Sequence, residues 1–558
     1  MKRIVTISLL LLAAAVLSAQ GLSERTYITT DRQVYVAGDR VWCSAFCVDA
    51  ATGVGSDFSS VAYIELHSSR EMVCTAKVAL LGGRGATVMQ LPANLPTGNY
   101  KLFAYTAQNK NEEGFDYSAS AKTISVYNAY SADRIAGGVE VVAEAPAAAA
   151  LPEEVGAVDI VAPDAARPAA PAVLQLSSGK DATVSVSVWH DDGIGAPEQI
   201  SIADFKSAIR PGSGFAGKVI PEYEGEIISG RVLGLSPAQV DSLAGFYAFI
   251  STPGSFENVY SSGISKDGSI SFFTGNIYGT RDLVCEIENI GEGMPGHFEL
   301  DSPFVNAGVG DIEKLQLYSG CSDRIQKRGA ASQIERLFDA DTLFAALPVR
   351  ENLLARVPAK SYILDDYTRF PTMDEVIVEI VTELRTHRRG GRTELQMMIQ
   401  DVYQGIRVAE GSTLILLDGV PVFNHQKILS YDPALIKAID IYPYNVCVGI
   451  RVFEGMVNIT TFKGNLPSMD FDANVRIVDF QGPSLPVAYT CSGLSHDGHY
   501  PDYRQTAYWH PMLDLVAGET LNLNVVLPAY EGRFVVTVEG LASDGSPIYA
   551  RKEFYVNK

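Results

Sequence analysis

Short apolar runs broken by turn residues recur along most of this chain, and that rhythm constrains its fold more than any other feature. Gln33–Val36, Val41–Val48, Val61–Leu66, Met72–Leu80, Ala86–Leu91 and Asn99–Ala107 are strand-length runs separated by Gly, Asn, Asp and Pro. Such spacing predicts a β-sandwich, because each run can bury one face and each break supplies a turn. Leu95-Pro96-Thr97-Gly98-Asn99-Tyr100 is a turn signal before a strand with Tyr100, Leu102 and Ala104 on one face. Thr183-Val184-Ser185-Val186-Ser187-Val188 alternates strictly, which predicts a strand with one buried and one wet face. Ile227–Val232, Phe246–Ile250, Ser269–Phe273 and Asp282–Ile287 predict a further β-unit with a hairpin turn at Asp267-Gly268. Alternation returns at Leu521, Leu523, Val525 and Leu527, and again at Phe534, Val536 and Val538.

Helical signals are fewer. Asp323 to Phe338 has a helical pattern, and Thr372-Met373-Asp374-Glu375 reads as a capping box opening Val376–Leu384. There Val376, Ile377, Ile380 and Leu384 form one apolar stripe. Asp432-Pro433 fits an N-cap followed by proline at the first helical position. With 558 residues the chain is too long for one core. The expected division is a signal peptide at 1–19, a β-sandwich at 20–128, a second β-unit with an Ala/Pro-rich loop at 129–210, and a third sandwich at 223–305. A partly helical connecting segment at 306–359, a mixed α+β unit at 360–466 and a C-terminal β-unit at 467–558 complete it. The fold class expected is mainly β and multidomain, with immunoglobulin-like sandwiches and one α+β domain.

Met1-Lys2-Arg3, the apolar run Ile4–Leu17 and then Ser18-Ala19 fit the three regions of a secretory leader cleaved after Ala19. The expectation is an exported chain, periplasmic or associated with the outer membrane. No later stretch reaches the roughly 18–20 apolar residues of a spanning helix, and the first cysteine, Cys43, lies too far along to accept lipid. A net charge of −21 without clustered Lys/Arg argues against a nucleic-acid partner. The seven cysteines (43, 47, 74, 285, 321, 447, 491) are scattered, unlike a dense disulfide scaffold. Cys43 and Cys47 share a strand face with Val41 and Ala45 and read as buried free thiols, with a disulfide from one of them to Cys74 as the alternative.

Motifs with chemistry are scarce. Gly212-Ser213-Gly214-Phe215-Ala216-Gly217 matches G-x-G-x-x-G, but Pro211 precedes it and Pro221 soon follows, so it reads as an interdomain loop. No P-loop, G-x-S-x-G, H-E-x-x-H or EF-hand pattern occurs. His496-Asp497-Gly498-His499, with Cys491 and His510 nearby, has ligand-like residue types but suits an exposed turn, since a zinc site adds a second well-spaced ligand pair. Asp191-Asp192 and Asp365-Asp366 read as turn or cap residues, and His190 as a core or interface histidine. No catalytic, cofactor-binding or metal-ligating residue is therefore assigned, and no cofactor is expected.

Tyr27-Ile28-Thr29-Thr30-Asp31-Arg32-Gln33-Val34-Tyr35-Val36-Ala37-Gly38-Asp39-Arg40-Val41-Trp42 resembles the start of the second macroglobulin-type domain of the alpha-2-macroglobulin superfamily, and Leu95–Tyr100 resembles its closing turn. The resemblance implies an immunoglobulin-like sandwich there. Ser229-Gly230-Arg231-Val232 with Asp267-Gly268-Ser269-Ile270 is similar to a carboxypeptidase-regulatory-type sandwich. Leu416-Leu417-Asp418-Gly419-Val420-Pro421-Val422, Ile439-Asp440-Ile441 and Gly455–Gly464 resemble the plug domain of TonB-dependent outer-membrane receptors. The combined order, ending in Pro501-Asp502-Tyr503-Arg504 and Tyr508-Trp509, is similar to exported Bacteroidetes-type proteins that join a macroglobulin domain to a plug-like domain. Two departures matter. The residues after Gly464 are far fewer than the roughly 200 that a receptor barrel needs, and no cysteine is followed by glycine, which excludes the Cys-Gly-Glu-Gln thioester trap.

The leading functional expectation is a non-enzymatic envelope protein, an interaction scaffold or accessory factor of an outer-membrane transport or assembly system, with an outer-membrane β-barrel as partner and peripheral outer-membrane association. The alternative is an extracellular binder of peptide or glycan, or a non-covalent protease inhibitor. A hydrolase holding a metal on His496, His499 and His510 is the third.

Overall fold

The computed structural model describes residues 23–145, 152–212, 219–254, 257–275, 277–288, 296–338, 344–347, 357–389, 392–401, 405–489 and 501–558. The chain is mainly β and multidomain, and it divides into two compact units. One comprises Met1–Tyr223, Phe304–Pro348 and Pro483–Lys558; the other comprises Glu224–Pro303 and Val349–Gly482.

The first unit holds two sandwiches. In the first, strands Glu24–Thr30, Arg40–Asp49 and Arg84–Gln90 form one sheet, facing a five-stranded sheet of Val34–Val36, Lys122–Tyr127, Gly98–Thr106, Val61–His67 and Met72–Ala79. Val41, Cys43, Ala45 and Cys47 point into the core with Ile64, Leu66 and Leu102. The thiols of Cys43, Cys47 and Cys74 are free, and burial raises all three above the usual thiol range. Period-two alternation predicts that the other face of Arg40–Asp49 is wet, yet Trp42, Ser44, Phe46 and Val48 are also buried. The cause is a second sandwich packed on that face.

That second sandwich corrects the expected division. Residues 129–210 and 467–558 are not two units: Ala182–Asp191 lies between Thr506–Leu515 and Gly532–Ala542 in a six-stranded sheet, and Pro171–Ser178 pairs with Thr520–Val526 in the facing sheet. Val184, Val186 and Val188 fill its core. Thr183, Ser185 and Ser187, expected to be wet, are buried because their face meets the first sandwich. The Ala/Pro-rich stretch 143–172 is not wholly loop, since Val158–Val161 forms a strand on Pro171–Ser178. The helix Ser322–Leu337 packs in the same unit, its Arg328 bonded to Val34 O at 2.9 Å.

The second unit joins a sandwich to an α+β layer. Ser269–Phe273, Ile227–Leu233 and His297–Leu300 make one sheet; Val259–Gly263, Tyr247–Ser251, Thr280–Ile287 and Arg476–Gln481 make the other. Arg476–Gln481 therefore belongs here and not to a C-terminal unit. Asp267-Gly268 is a tight turn with Gly268 at φ 79°, but the strands it joins lie in different sheets, so it is not a hairpin turn. In the α+β layer, Lys360–Ile363, Ile436–Val448, Arg451–Thr461, Leu414–Leu417 and Val420–Pro421 form a mixed sheet. The helix opened by Thr372 runs only from Met373 to Glu379, and Leu384 already starts a strand; Val376, Ile377, Ile380 and Leu384 nonetheless all enter the core. Asp418-Gly419 makes the turn of the Leu414–Leu417 hairpin, with both residues at positive φ. The buried Asp418 carboxylate accepts from Thr461 N at 2.7 Å, Thr461 Oγ1 at 2.6 Å and Leu466 N at 2.8 Å, tying the end of the neighbouring strand.

Gly455 stands at φ 91°, where a Cβ would sit 2.7 Å from Met397 Cγ. Gly455→Ala is expected to lose about 1–3 kcal/mol in urea unfolding, from a disfavoured backbone region and a steric clash. His425 is buried with Nδ1 accepting from Leu395 N at 2.9 Å, and burial lowers its imidazole from 6.5 to about 4. Above the unfolded value both states are neutral and nothing is lost. Between 6.5 and about 4 the unfolded chain takes up a proton that the folded chain refuses, so stability falls with falling pH, by up to about 3 kcal/mol. His425→Gln should flatten that portion of the stability–pH curve measured by urea unfolding.

Candidate functional site: a charge-lined cavity in the first unit

Where the two sandwiches of the first unit meet, their polar faces enclose a cavity of about 330 Å³. Its floor is the outer face of the second sandwich, carrying Trp189, Asp191, Arg533, Glu539, Arg551 and Glu553. These residues lie on one face because side chains two apart along a strand point the same way. The 30–34 loop of the first sandwich, the 193–197 segment and Arg328 from the helix form its walls.

Ion pairs organise this lining. Asp31, fully buried, accepts from Tyr35 Oη at 2.8 Å, from Trp42 N at 3.2 Å and from Thr506 Oγ1, while its own carbonyl accepts from Ser187 Oγ at 2.6 Å. Burial pushes its carboxyl above the usual range, against the opposing pull of Arg32 and these donors. Arg32 reaches Asp39 at 2.8 Å and Thr506 at 3.1 Å. Asp192 takes a two-pronged contact from Arg328 at 2.6 and 2.7 Å; burial alone would raise its carboxyl, and the guanidinium overrides that and holds it low. Lys122 lies 3.5 Å from Glu539, which also accepts from Tyr27 Oη. On the floor, Asp191–Arg533 at 2.7 Å joins two strands and Arg551–Glu553 at 3.0 Å runs along one. Beside the cavity, Trp42 stacks on Trp509 and Tyr489 at 5.2 and 5.0 Å, and the buried Arg504–Asp502 pair closes at 2.7 Å. Near Arg32 a smaller cavity of about 40 Å³ is lined by Glu335, which burial and then the Asp39 carboxylate raise to about 7.

The residues singled out from sequence are not brought together. His496, His499 and Cys491 lie outside the described residues, as do Gly214 and Gly217; Gly212 donates its N–H to Ser23 Oγ at 3.0 Å. His510 is on the strand Thr506–Leu515, where Met512 N donates to its Nδ1 at 3.3 Å and burial lowers the imidazole. His190 stacks on Tyr530 at 4.3 Å and lies 5.2 Å from Phe534, a position at the end of the second sandwich's core, and burial lowers it too. Asp191 and Asp192 are turn acceptors for Gly193 N and Ile194 N, but each is also an ion-pair partner, which sequence did not predict. Asp365 pairs with Arg369 next to the short turn Leu364–Asp366. Sequence reading missed Trp189, Arg328, Arg533 and Arg551. The alternation Arg551, Glu553 on an otherwise apolar-faced strand was the available signal. Among the described residues no group of three or more His, Cys, Asp or Glu is arranged to hold a metal ion, and no helix is long and apolar enough to cross a membrane.

No family model and no curated protein matches this chain. Solved structures that align with it include a Salmonella alpha-2-macroglobulin reacted with methylamine, at 10% identity and TM-score 0.16, covering 96% of this chain and 23% of that one. A trypsin-activated Escherichia coli alpha-2-macroglobulin aligns at 8% identity and TM-score 0.23, covering 96% and 42%. The Escherichia coli adhesin FdeC aligns at 10% identity and TM-score 0.15, covering 53% and 64%. This chain thus spans less than half the length of either macroglobulin. At TM-scores this low the likeness bears on neither the fold nor the function of this chain, and its β class rests on its own strands.

Asp31→Ala would leave Arg32 beside a buried gap and take the acceptor from the Thr506 hydroxyl, while the Tyr35 hydroxyl keeps the Arg32 carbonyl at 2.7 Å. The expected loss is about 3–5 kcal/mol, with Asp31→Asn losing less, in urea unfolding of the full chain.

Proposed function

We propose that this chain is a non-enzymatic, exported envelope protein, an interaction scaffold or accessory factor of an outer-membrane transport or assembly system, with its 360–466 module as the part offered to an outer-membrane β-barrel partner. The leader-like start of the sequence and the plug-like residues of 411–464 support this reading. The observation that carries it is the far end of the hairpin Ile436–Val448/Arg451–Thr461. There Tyr444, Ile450 and Val452 are 41, 72 and 47% exposed, an arrangement of apolar side chains that suits contact with another protein.

That end is braced. Arg451 forks onto Glu288 at 2.7 and 3.0 Å and lies over Phe453 at 4.7 Å, and Ser261 Oγ donates to Val448 O at 2.5 Å. A braced contact surface loses little conformational entropy on binding. Photo-crosslinkers placed in cells at Tyr444 or Val452 are expected to give one adduct with an outer-membrane barrel protein, weakened at least about tenfold by Ile450→Asp. A crosslinker at Val173, exposed on the second sandwich, should give none. Absence of hairpin adducts, or the same adducts from Val173, would overturn the reading.

A further inference from the structure

The cavity floor offers more than the pairs that stabilise it. Three adjacent strands run beneath it, Ala182–Asp191, Gly532–Ala542 and Pro547–Val556. Asp191 pairs across to Arg533, and Trp189 pairs across to Val535, which in turn faces Glu553. Neighbouring strands are about 4.8 Å apart, so Asp191 and Arg533 lie side by side, and Glu553 lies diagonal to Arg533 on the next strand. The Asp191–Arg533 and Arg551–Glu553 contacts are hydrogen-bond length, but Arg533 Nη1 stands 3.7 Å from Glu553. That separation is too long for a hydrogen bond. Donor capacity on Arg533 and lone pairs on Glu553 therefore remain at a mouth open to water, where their side chains are 37 and 35% exposed.

The chemistry of this surface selects its ligand. Arg533 and Arg551 are balanced by Asp191 and Glu553, so a net-charged ligand gains little from the field. An aliphatic ligand would strip water from the charged groups and give nothing back. An extended peptide pairs with a sheet edge, and the floor here is a sheet face. What fits is a molecule with several hydroxyls, each donor and acceptor, beside a flat apolar face. Trp189 supplies the platform: it is half-buried on the floor and stacks on no other ring among the described residues.

We propose that this cavity binds a neutral saccharide of one or two sugar rings, with a C–H face on Trp189 and hydroxyls between Arg533 and Glu553. The volume of about 330 Å³ lies at the lower end of the range for small-molecule sites. The proposal is independent of the hairpin and of any envelope partner.

Of the three tryptophans, Trp42 and Trp509 are buried in their own stack, so a fluorescence change on ligand addition reports Trp189. The full chain is titrated with the methyl glycosides of glucose, galactose, mannose and N-acetylglucosamine, followed by tryptophan fluorescence and saturation-transfer NMR. At least one probe is expected to bind with Kd of about 0.1–10 mM, and Trp189→Ala and Glu553→Gln each to weaken it at least about tenfold. Glu553→Gln preserves side-chain shape and should leave the unfolding midpoint nearly unchanged, which separates loss of the site from loss of the fold. Three results would overturn the proposal: no probe binding below about 50 mM, binding that survives both substitutions, or tripeptides shifting the Trp189 signal while the glycosides leave it unmoved.

Discussion

A buried carboxylate sets the geometry of the first unit. Asp31 sits where water is excluded, and an ionised group there is tolerated only when donors surround it. Those donors come from its own sandwich, through Tyr35 and Trp42, and from the far end of the chain, through Thr506. Because hydrogen bonds are directional, the two sandwiches can satisfy Asp31 in one relative register only. An apolar contact of the same size would allow sliding; this one does not.

The cavity is the counterpart of that choice. Apolar pads flank the junction, Trp42 against Trp509 on one side and Tyr27, Phe46 and Phe205 on another. Between them both faces carry charged side chains, and long ion-paired arms meet in pairs where apolar groups would interdigitate. A gap remains, floored by Asp191, Arg533, Arg551 and Glu553. The interaction that locks the sandwiches together thus also leaves the space between them, and the charges there are held in place before any ligand arrives. Preorganisation of that kind favours recognition of hydroxyl patterns, because no side chain has to be reordered on binding.

How far the fold was legible in sequence follows from the range of each interaction. Local rules read well: Asp418-Gly419 is a turn because only that geometry needs positive φ at both positions, and Val184, Val186 and Val188 face one core because a strand repeats every two residues. Long-range facts were illegible. Nothing in Thr183, Ser185 and Ser187 distinguishes a wet face from one buried against another polar face, and nothing local assigns Ala182–Asp191 to strands more than 300 residues away. The cavity was missed for the same reason. Its charged residues come from six separate stretches of chain, Asp31-Arg32, Lys122, Asp191, Arg328, Arg533 with Glu539, and Arg551 with Glu553, and each alone looks like an ordinary solvated residue.

That separation in sequence also orders assembly. The first sandwich uses a continuous stretch, Glu24 to Tyr127, and can close as soon as it is made. The second cannot, since Ala182–Asp191 has no sheet neighbours until Thr506–Leu515 and Gly532–Ala542 exist. The sandwich of the other unit likewise waits for Arg476–Gln481 to join Thr280–Ile287. Non-local pairing of this kind is slow, because loop closure is lost before contacts repay it. In the interval the strand Arg40–Asp49 shows its Trp42 and Phe46 face uncovered, flanked by Ser44 and the charged Asp31 region. Polar groups interrupting that face make it a poor template for indiscriminate association. The hydroxyls and carboxylate that fix the final register therefore also protect the half-built chain until its last strands arrive.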